Sequence, residues 1–279
     1  MSGKLYLVAT PIGNLGDFSP RALATLEEAD FIAAEDTRVS VKLLNHFGLK
    51  KPLVSYHQHN HISAGPVILE RMLRGETCAL VTDAGMPAIS DPGEELVKLC
   101  AQADIPVYAV PGGCALIAAL AVSGLDTGRF TFEGFLSVNK KTRREHLASL
   151  KTEQRTMIFY EAPHKLLGTL EDLLAAFGDR PITLCREITK LHEETIRTTL
   201  SAAVERYRET APRGEFVLVL AGAEPQEETA LTLEEGAQLV LRLRDGGQRM
   251  KDAVKQVAAD SGLNRNELYE AALKAQDEE

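Results

Sequence analysis

Residues 82–93, TDAGMPAISDPG, follow the apolar run CALV and contain Asp, Gly, Pro and small residues, with no Ser-His pair, no Cys and no metal-ligand cluster. Gly and Ala let a backbone come close to a ligand, and Pro stiffens the loop. Such a segment suits a molecule held by main-chain N–H and C=O groups, one that brings its own reactive atom. Three more loops share this character: ATPIGNLGD at 9–17, the densely polar AEDTR at 34–38, and VPGGCALIAAL at 110–120, where Pro-Gly-Gly opens an apolar helix. The first lacks GxGxxG, and no Lys-Ser/Thr pair follows its second Gly, so it is neither a dinucleotide fingerprint nor a P-loop. Each loop alone is an ordinary turn; together, after successive strands, they could line one crevice.

The elements that must position these loops are read from periodicity. KLYLVAT (4–10), DFIAAED (30–36), PLVSY (52–56), CALVTD (78–83) and PVYAV (106–110) read as strands, with helices at 19–29, 39–48, 62–74 and 93–103. Ser19-Pro20 is an N-cap followed by Pro, and Asp91-Pro92-Gly93-Glu94 has capping-box spacing. Apolar strands alternating with helices imply a largely parallel sheet covered on both faces. A second unit follows Gly124-Leu125-Asp126, with strands at 130–135, 155–162, 181–187 and 214–222 and helices near 141–151, 163–176 and 200–210. Its well separated strands read as another α/β layer, without a run of hairpins. The polar segment 223–232 reads as a linker. Helices at 233–244, 250–259 and 265–275 follow, the last two outlining a helix-turn-helix around Ser261-Gly262. The expected fold class is therefore α/β, divided into 1–125, 126–223 and a helical appendage at 224–279.

Composition narrows the function classes. The 279 residues are 44% hydrophobic and 25% charged, as in soluble globular proteins. Cys78, Cys100, Cys114 and Cys185 show no CxxC spacing, and three of them lie in apolar runs; they read as free thiols of a reducing cytoplasm. No signal peptide or membrane span is apparent. A net charge of −9 argues against broad nucleic-acid binding, and the nearly balanced tail (five basic against four acidic residues from Arg249 to Lys274) against DNA. A local basic excess does occur, with seven Lys/Arg against three Asp/Glu from Arg129 to Arg155.

LVATPIGNLGD, AEDTR, LVTDAGMPAISDPG, VPGGCALIAAL, IFYEAPHKLLGTL (158–170) and LCREITKLHEE (184–194) together closely resemble one branch of the tetrapyrrole methylase superfamily, the bacterial small-subunit ribosomal RNA methyltransferase I family. The resemblance spans residues 4–222, and the terminal helices fit it as well. It implies two α/β domains of the tetrapyrrole methylase type, with S-adenosylmethionine in the cleft between them, and a homodimer. It further implies 2′-O-methylation of the ribose of one cytidine in the decoding region of 16S rRNA, with the assembled small subunit as the expected substrate.

Carried onto this sequence, the resemblance implies cofactor contacts at Pro11, at Asp83, Ala84 and Gly85, at Ile89 and Ser90, and at Cys114 and Ala115. From the second unit it adds Phe159, Tyr160, Leu191 and Glu215. Methyl transfer from a sulfonium is largely a matter of alignment, so a loop without reactive side chains is suitable. A 2′-hydroxyl is a poor nucleophile, and a base or an orienting charge would help it. Candidates are Glu35, Asp36 and Arg38 in AEDTR, and Arg186, Glu187 and Lys190 in CREITK; Glu–Arg pairs here equally suit bracing of the fold. The run NKKTRREHL supplies Lys140, Lys141, Arg143 and Arg144 for RNA phosphates, or simply a solvated helix face. His57, His59 and His61 alternate as on one strand face, but nothing beside them completes a metal site, and they read as a surface loop touching RNA or solvent. Two alternatives remain: a small-molecule, tetrapyrrole-type methyltransferase, and a nonenzymatic RNA- or ribosome-binding factor using the helical tail.

Overall fold

The computed structural model describes residues 3–224 and 231–277. The chain forms two compact units, residues 1–223 and 224–279. Most of the expected linker, 225–230, lies outside the described residues.

In chain order the first sheet and its helices are β1 (Leu5–Val8), α1 (Pro20–Glu28), β2 (Phe31–Ala34), α2 (Thr37–His46), β3 (Leu53–Ser55), α3 (His61–Leu73), β4 (Cys78–Val81), α4 (Glu94–Gln102) and β5 (Val107–Val110). The strands run in the order β3-β2-β4-β1-β5, and every pairing is parallel. Both faces are buried, because alternate residues feed different helices. Phe31, Ala33 and Leu80 pack with Ile68 and Met72 of α3 and Leu96 and Cys100 of α4. Ile32, Ala34 and Val81 pack with Ala22 and Leu26 of α1 and Leu44 of α2. Ser19 caps α1, its Oγ accepting from Ala22 N at 3.0 Å. The capping box expected at Asp91 does not form: α4 begins at Glu94 with Gly93 as its N-cap, and no side chain caps it.

The second sheet and its helices comprise α5 (Ala115–Ser123), β6 (Phe130–Phe135), α6 (Lys140–Ser149), β7 (Thr156–Glu161), α7 (Leu166–Phe177), β8 (Pro181–Arg186), β9 (Glu194–Thr199), α8 (Leu200–Glu209) and β10 (Phe216–Leu220). The strand order is β6-β7-β10-β8-β9. Only β6–β7 is parallel; β10 runs antiparallel to both neighbours, and β8–β9 is an antiparallel hairpin. That hairpin corrects the expectation of separated strands. One face packs on α7 and α8 through Leu170, Leu173, Leu200 and Val204. The other packs on α5: Leu116, Ala119 and Leu120 meet Ile158, Cys185, Val217 and Val219. The chain thus joins the second layer before α5, ahead of the division expected near residue 125.

The remaining unit has three helices, α9 (Leu233–Asp245), α10 (Met250–Ser261) and α11 (Arg265–Asp277). Thr232 and Glu235 form the expected capping box on α9. Val240, Val254, Val257 and Leu268 make their common core, and Gly262 closes α10 in the left-handed conformation. Among the described residues no helix is long and apolar enough to cross a membrane.

Candidate active site

In the first sheet β1 and β4 are neighbours, but the chain leaves them toward opposite faces, into α1 and α4. Such a switch point opens a crevice beyond the carboxyl ends of parallel strands. The loops leaving β1 and β4 are stitched across it. Thr10 and Gly85 exchange N–H···O bonds of 2.9 and 3.1 Å, and Thr10 Oγ1 donates to Thr82 O at 3.1 Å. A cavity of about 510 Å³ lies here, closed on its far side by the second sheet. Ile12, Glu35, Asp83–Met86, Ile89–Asp91, Cys114 and Ala115 line it from the first sheet and the start of α5. Phe135, Tyr160–Pro163, Cys185, Ile188, Lys190 and Glu215–Val217 line it from the second.

Backbone groups dominate the first wall. Among the described residues, the N–H groups of Ala84, Met86, Cys114 and Ala115 make no hydrogen bond to the protein. Glu35 and Asp83 hold two loops in register: Asp36 N donates to Asp83 Oδ1 at 3.2 Å, and Asp83 N to Glu35 Oε2 at 3.4 Å. Burial raises the pKa of both carboxyls, with repulsion from Asp83 and Asp36 adding to it at Glu35 and from Asp36 at Asp83. Burial also pushes the Asp91 carboxyl up to about 7, reinforced by Glu35 and Asp83.

The second wall supplies rings and one ammonium group. Tyr160 meets Phe132 and Phe135 edge-on, and its Oη accepts from Leu116 N at 3.1 Å, tying β7 to α5. Burial pushes the Tyr160 phenol up to about 12, so it stays protonated and able to donate. Lys190 Nζ donates to Glu187 Oε1 and to Glu215 Oε2, each at 2.8 Å. Burial opposes its charge, but these two bonds outweigh it and raise its pKa.

The expected site residues divide accordingly. Glu35, Asp83, Ala84, Gly85, Ile89 and Ser90 lie on the wall, and Cys114, Ala115, Tyr160, Lys190 and Glu215 complete that set. Pro11 sits beside Ile12, which takes the wall position instead. Phe159 points the other way, fully buried in the core with α7, as strand alternation dictates. Leu191 is 93% exposed and off the cavity. Asp36 and Arg38 satisfy each other: Asp36 accepts from Arg38 N at 2.8 Å to open α2, and from its guanidinium at 2.6 Å. That guanidinium holds the Asp36 carboxyl down at about 2. Arg186 braces, donating to Arg213 O at 2.6 Å and facing Glu194, while Glu187 accepts from Glu215 N as well as Lys190.

In the basic run Lys140, Lys141 and Arg144 are exposed. Arg143 departs from that expectation: its side chain is 13% exposed and turns onto α7, with Nε to Asp172 at 2.5 Å and Nη2 to Thr169 at 2.8 Å. The histidines do not share a strand face either. His57 and His59 form a turn and His61 begins α3. Sequence reasoning missed Ile12, Met86, Asp91, Phe135, Glu161 and Ile188 on the wall. Ile12, Met86 and Asp91 lie in the Gly- and Pro-containing loops that the sequence marks, whereas Phe135, Glu161 and Ile188 carried no such local signal.

Unspent amides, apolar side chains and carboxylates around one enclosed space fit a molecule with a hydrogen-bonding skeleton and a positive charge, as S-adenosylmethionine is. Asp83–Met86, Cys114 and Ala115 would hold it, and it supplies an activated methyl group.

The chain is similar to known proteins along its length. Residues 4–204 match the tetrapyrrole (corrin/porphyrin) methylases, and residues 232–276 match the RsmI C-terminal HTH domain. Proteins called ribosomal RNA small subunit methyltransferase I are similar along almost the whole chain. That of Synechocystis sp. is 49% identical over 98% of both chains. That of Pseudomonas aeruginosa is 44% identical over 99% of this chain and 98% of its own. Among solved structures, uroporphyrin-III C-methyltransferase from Thermus thermophilus, in complex with S-adenosyl homocysteine, has a TM-score of 0.56 at 20% identity, covering 78% of this chain and 97% of its own. Diphthine synthase has a TM-score of 0.57 at 15% identity, over 78% and 90%. The last two likenesses are of fold. Both the sheets with their shared cavity and the full-length sequence similarity lead to one conclusion: the chain belongs to the tetrapyrrole methylase family, in the branch of the ribosomal RNA small subunit methyltransferases I, which are S-adenosylmethionine-dependent enzymes.

Proposed function

We propose that the protein transfers a methyl group from S-adenosylmethionine to the ribose 2′-hydroxyl of a single cytidine in the decoding region of 16S rRNA, within the assembled small subunit. The observation that carries this reading is identity of nearly one half, over the full length, to proteins named for small-subunit rRNA methylation. The wall of unspent amides and carboxylates supports the cofactor half of it. Lys140, Lys141 and Arg144, exposed on α6, support the RNA half as phosphate contacts. The work is done in the cytoplasm by a homodimer. A second copy would cover Tyr108 on the edge strand β5 and Ile117 and Val122 on α5, all exposed apolar side chains. Sedimentation tests the dimer. The reaction is tested by incubating labelled S-adenosylmethionine with small subunits from cells lacking the protein and mapping the labelled nucleoside. Label in one 2′-O-methylcytidine is the expected outcome; cofactor binding without label in RNA moves the reading to a small-molecule substrate.

A further inference from the structure

A second pocket, of about 330 Å³, opens outside the cofactor cavity between the end of β8 and the end of α8. Arg186, Glu194, Arg206, Tyr207, Pro212 and Arg213 line it. Arg186 lies opposite Phe216 in the sheet register, so its side chain stands on the face that α7 and α8 cover. Three guanidinium groups meet one carboxylate there. Glu194 accepts from Arg206 Nη2 at 2.9 Å and from Arg186 Nη1 at 3.4 Å. Arg186 Nε donates to Arg213 O at 2.6 Å and holds that segment against the end of β8. The Arg213 guanidinium itself makes no hydrogen bond or ion pair among the described residues. Glu194 and the carbonyl end of α8, worth about half a charge, leave the pocket positive. The whole chain carries −9, so this surplus is local. Tyr207, 6% exposed and edge-on to Phe216, gives the pocket a rigid apolar floor.

The topology sets this pocket beside the cavity. β6 and β7 are parallel, and β10 is antiparallel to both β7 and β8, so β6, β7 and β8 end at one edge of the sheet. Phe135, Tyr160 and Glu161 bring the ends of β6 and β7 to the cavity, and α6 begins at Lys140, just after β6. Arg186 ends β8. The arginine pocket and the exposed lysines of α6 therefore flank the cavity at that edge, with β6 and β8 three strand spacings apart, about 14 Å. Only a thin partition divides pocket from cavity. Arg186 and Arg213 face the pocket, Lys190 and Glu215 face the cavity, and Glu187 N donates to Glu215 O at 3.0 Å between them.

We propose that this pocket binds a phosphate of the substrate RNA backbone, close to the nucleotide being methylated. The assignment rests on the RNA reading above. Planar guanidinium groups with donors left over match phosphate oxygens in geometry and charge. Arg213 and the spare donors of Arg206 hold the oxyanion, while Arg186 keeps its bonds to Arg213 O and Glu194 and fixes the pocket's shape. With Lys140, Lys141 and Arg144 taking phosphates on the other side, the strand crosses the cavity mouth between two anchors. Such contacts position the substrate and carry no sequence information of their own.

Binding of the full chain to small subunits from cells lacking the protein tests this across a salt series. Arg206→Gln combined with Arg213→Gln should weaken binding about tenfold at low salt and lower the slope of log affinity against log salt by about 1. Arg213→Gln alone, whose side chain braces nothing, should show part of that loss with an unchanged Tm. Glu194→Gln removes the opposing carboxylate and should tighten binding about threefold. All three variants should keep the wild-type affinity for S-adenosylmethionine. Unchanged affinity and slope in the double variant overturn the proposal, and so does a loss of affinity with the slope intact, which marks a contact other than phosphate. The pocket is also probed without RNA: inorganic phosphate should shift the Arg206 and Arg213 Nε–Hε NMR signals saturably, and a linear drift overturns the site. Failure of the RNA reading shows differently, as saturable phosphate binding by a wild-type protein that leaves all RNA unlabelled.

Discussion

The loop after β4 and the loop after β8 face each other across the cavity, and both are strained: Ala88 and Ser90 in one, Glu187 and Thr189 in the other, have φ between 51° and 70°. They differ in what their polar groups do. In the β8 loop the charged groups satisfy one another, with Glu187 and Glu215 on Lys190 and Glu193 accepting from Thr189 N at 2.7 Å, and among its described residues the Thr189 hydroxyl is the one buried side-chain group left without a partner. In the β4 loop the amides of Ala84 and Met86 and the Asp91 carboxylate are left over. Strain alone therefore does not mark the working surface. Unspent hydrogen-bonding capacity in an enclosed space does, because leaving it unpaired costs free energy until a ligand fills it.

Gly85 offers the sharpest way to break this contrast. Its φ of 91° sits in the cavity wall, and a β-branched residue there would rotate the loop away from its bridge to Thr10. Gly85→Val should weaken S-adenosylmethionine binding by between about ten- and a hundredfold in calorimetric titration. Binding unchanged within twofold would remove the β4 loop as the cofactor cradle. Next, replacing Lys140, Lys141 and Arg144 together by Ala should raise the KM for ribosomal subunits by about tenfold and flatten its salt dependence, leaving cofactor affinity as it was. Arg143→Ala belongs to a different class: it should lower Tm by severing α6 from α7, an effect that a thermal melt reads without any RNA.

Smaller effects are expected from the β8 loop. A double-mutant cycle on Lys190→Met and Glu187→Gln should give a coupling of up to about 1 kcal/mol in chemical denaturation, the range of a partly exposed ion pair. A coupling absent from stability but large in kcat would turn this brace into a catalytic device. The smallest effect is a pH dependence of stability. Asp91, like Glu35 and Asp83, binds its proton more tightly folded than unfolded. Its protonated form therefore favours the fold, and stability falls as pH rises from the unfolded value near 4 toward about 7. Asp91→Asn should raise Tm by a few degrees at pH 8 and leave it unchanged at pH 3, by scanning calorimetry.

The first sheet was legible because its central strands β2 and β4 are buried on both faces and read as continuous apolar runs, and because Gly and Pro mark its loops. The hairpin was not. In β9, Glu194–Thr199, Ile196 is the one aliphatic residue among Glu, Thr and Arg on a half-exposed edge strand, a composition that a loop shares. Half of the site was legible for the same reason: the first-sheet loops carry glycine and proline signals, whereas Phe135, Glu161 and Ile188 reach the cavity only by tertiary approach. Phe159 and Tyr160 could have been separated by period-two alternation, since one faces the core and the other the cavity. Asp91 was concealed by a pattern that correctly describes many helix starts. The Pro-Gly that follows it displaced the cap to Gly93 and left the carboxylate to the cavity.

The most direct test of the central claim is nucleoside mapping after methyl transfer to small subunits from cells that lack the protein, using wild type alongside Gly85→Val. Label confined to one 2′-O-methylcytidine, and greatly reduced in the variant, is the predicted result. Label on a base, or equal label from both proteins, would contradict the account of a ribose methyltransferase whose cofactor is held by the β4 loop.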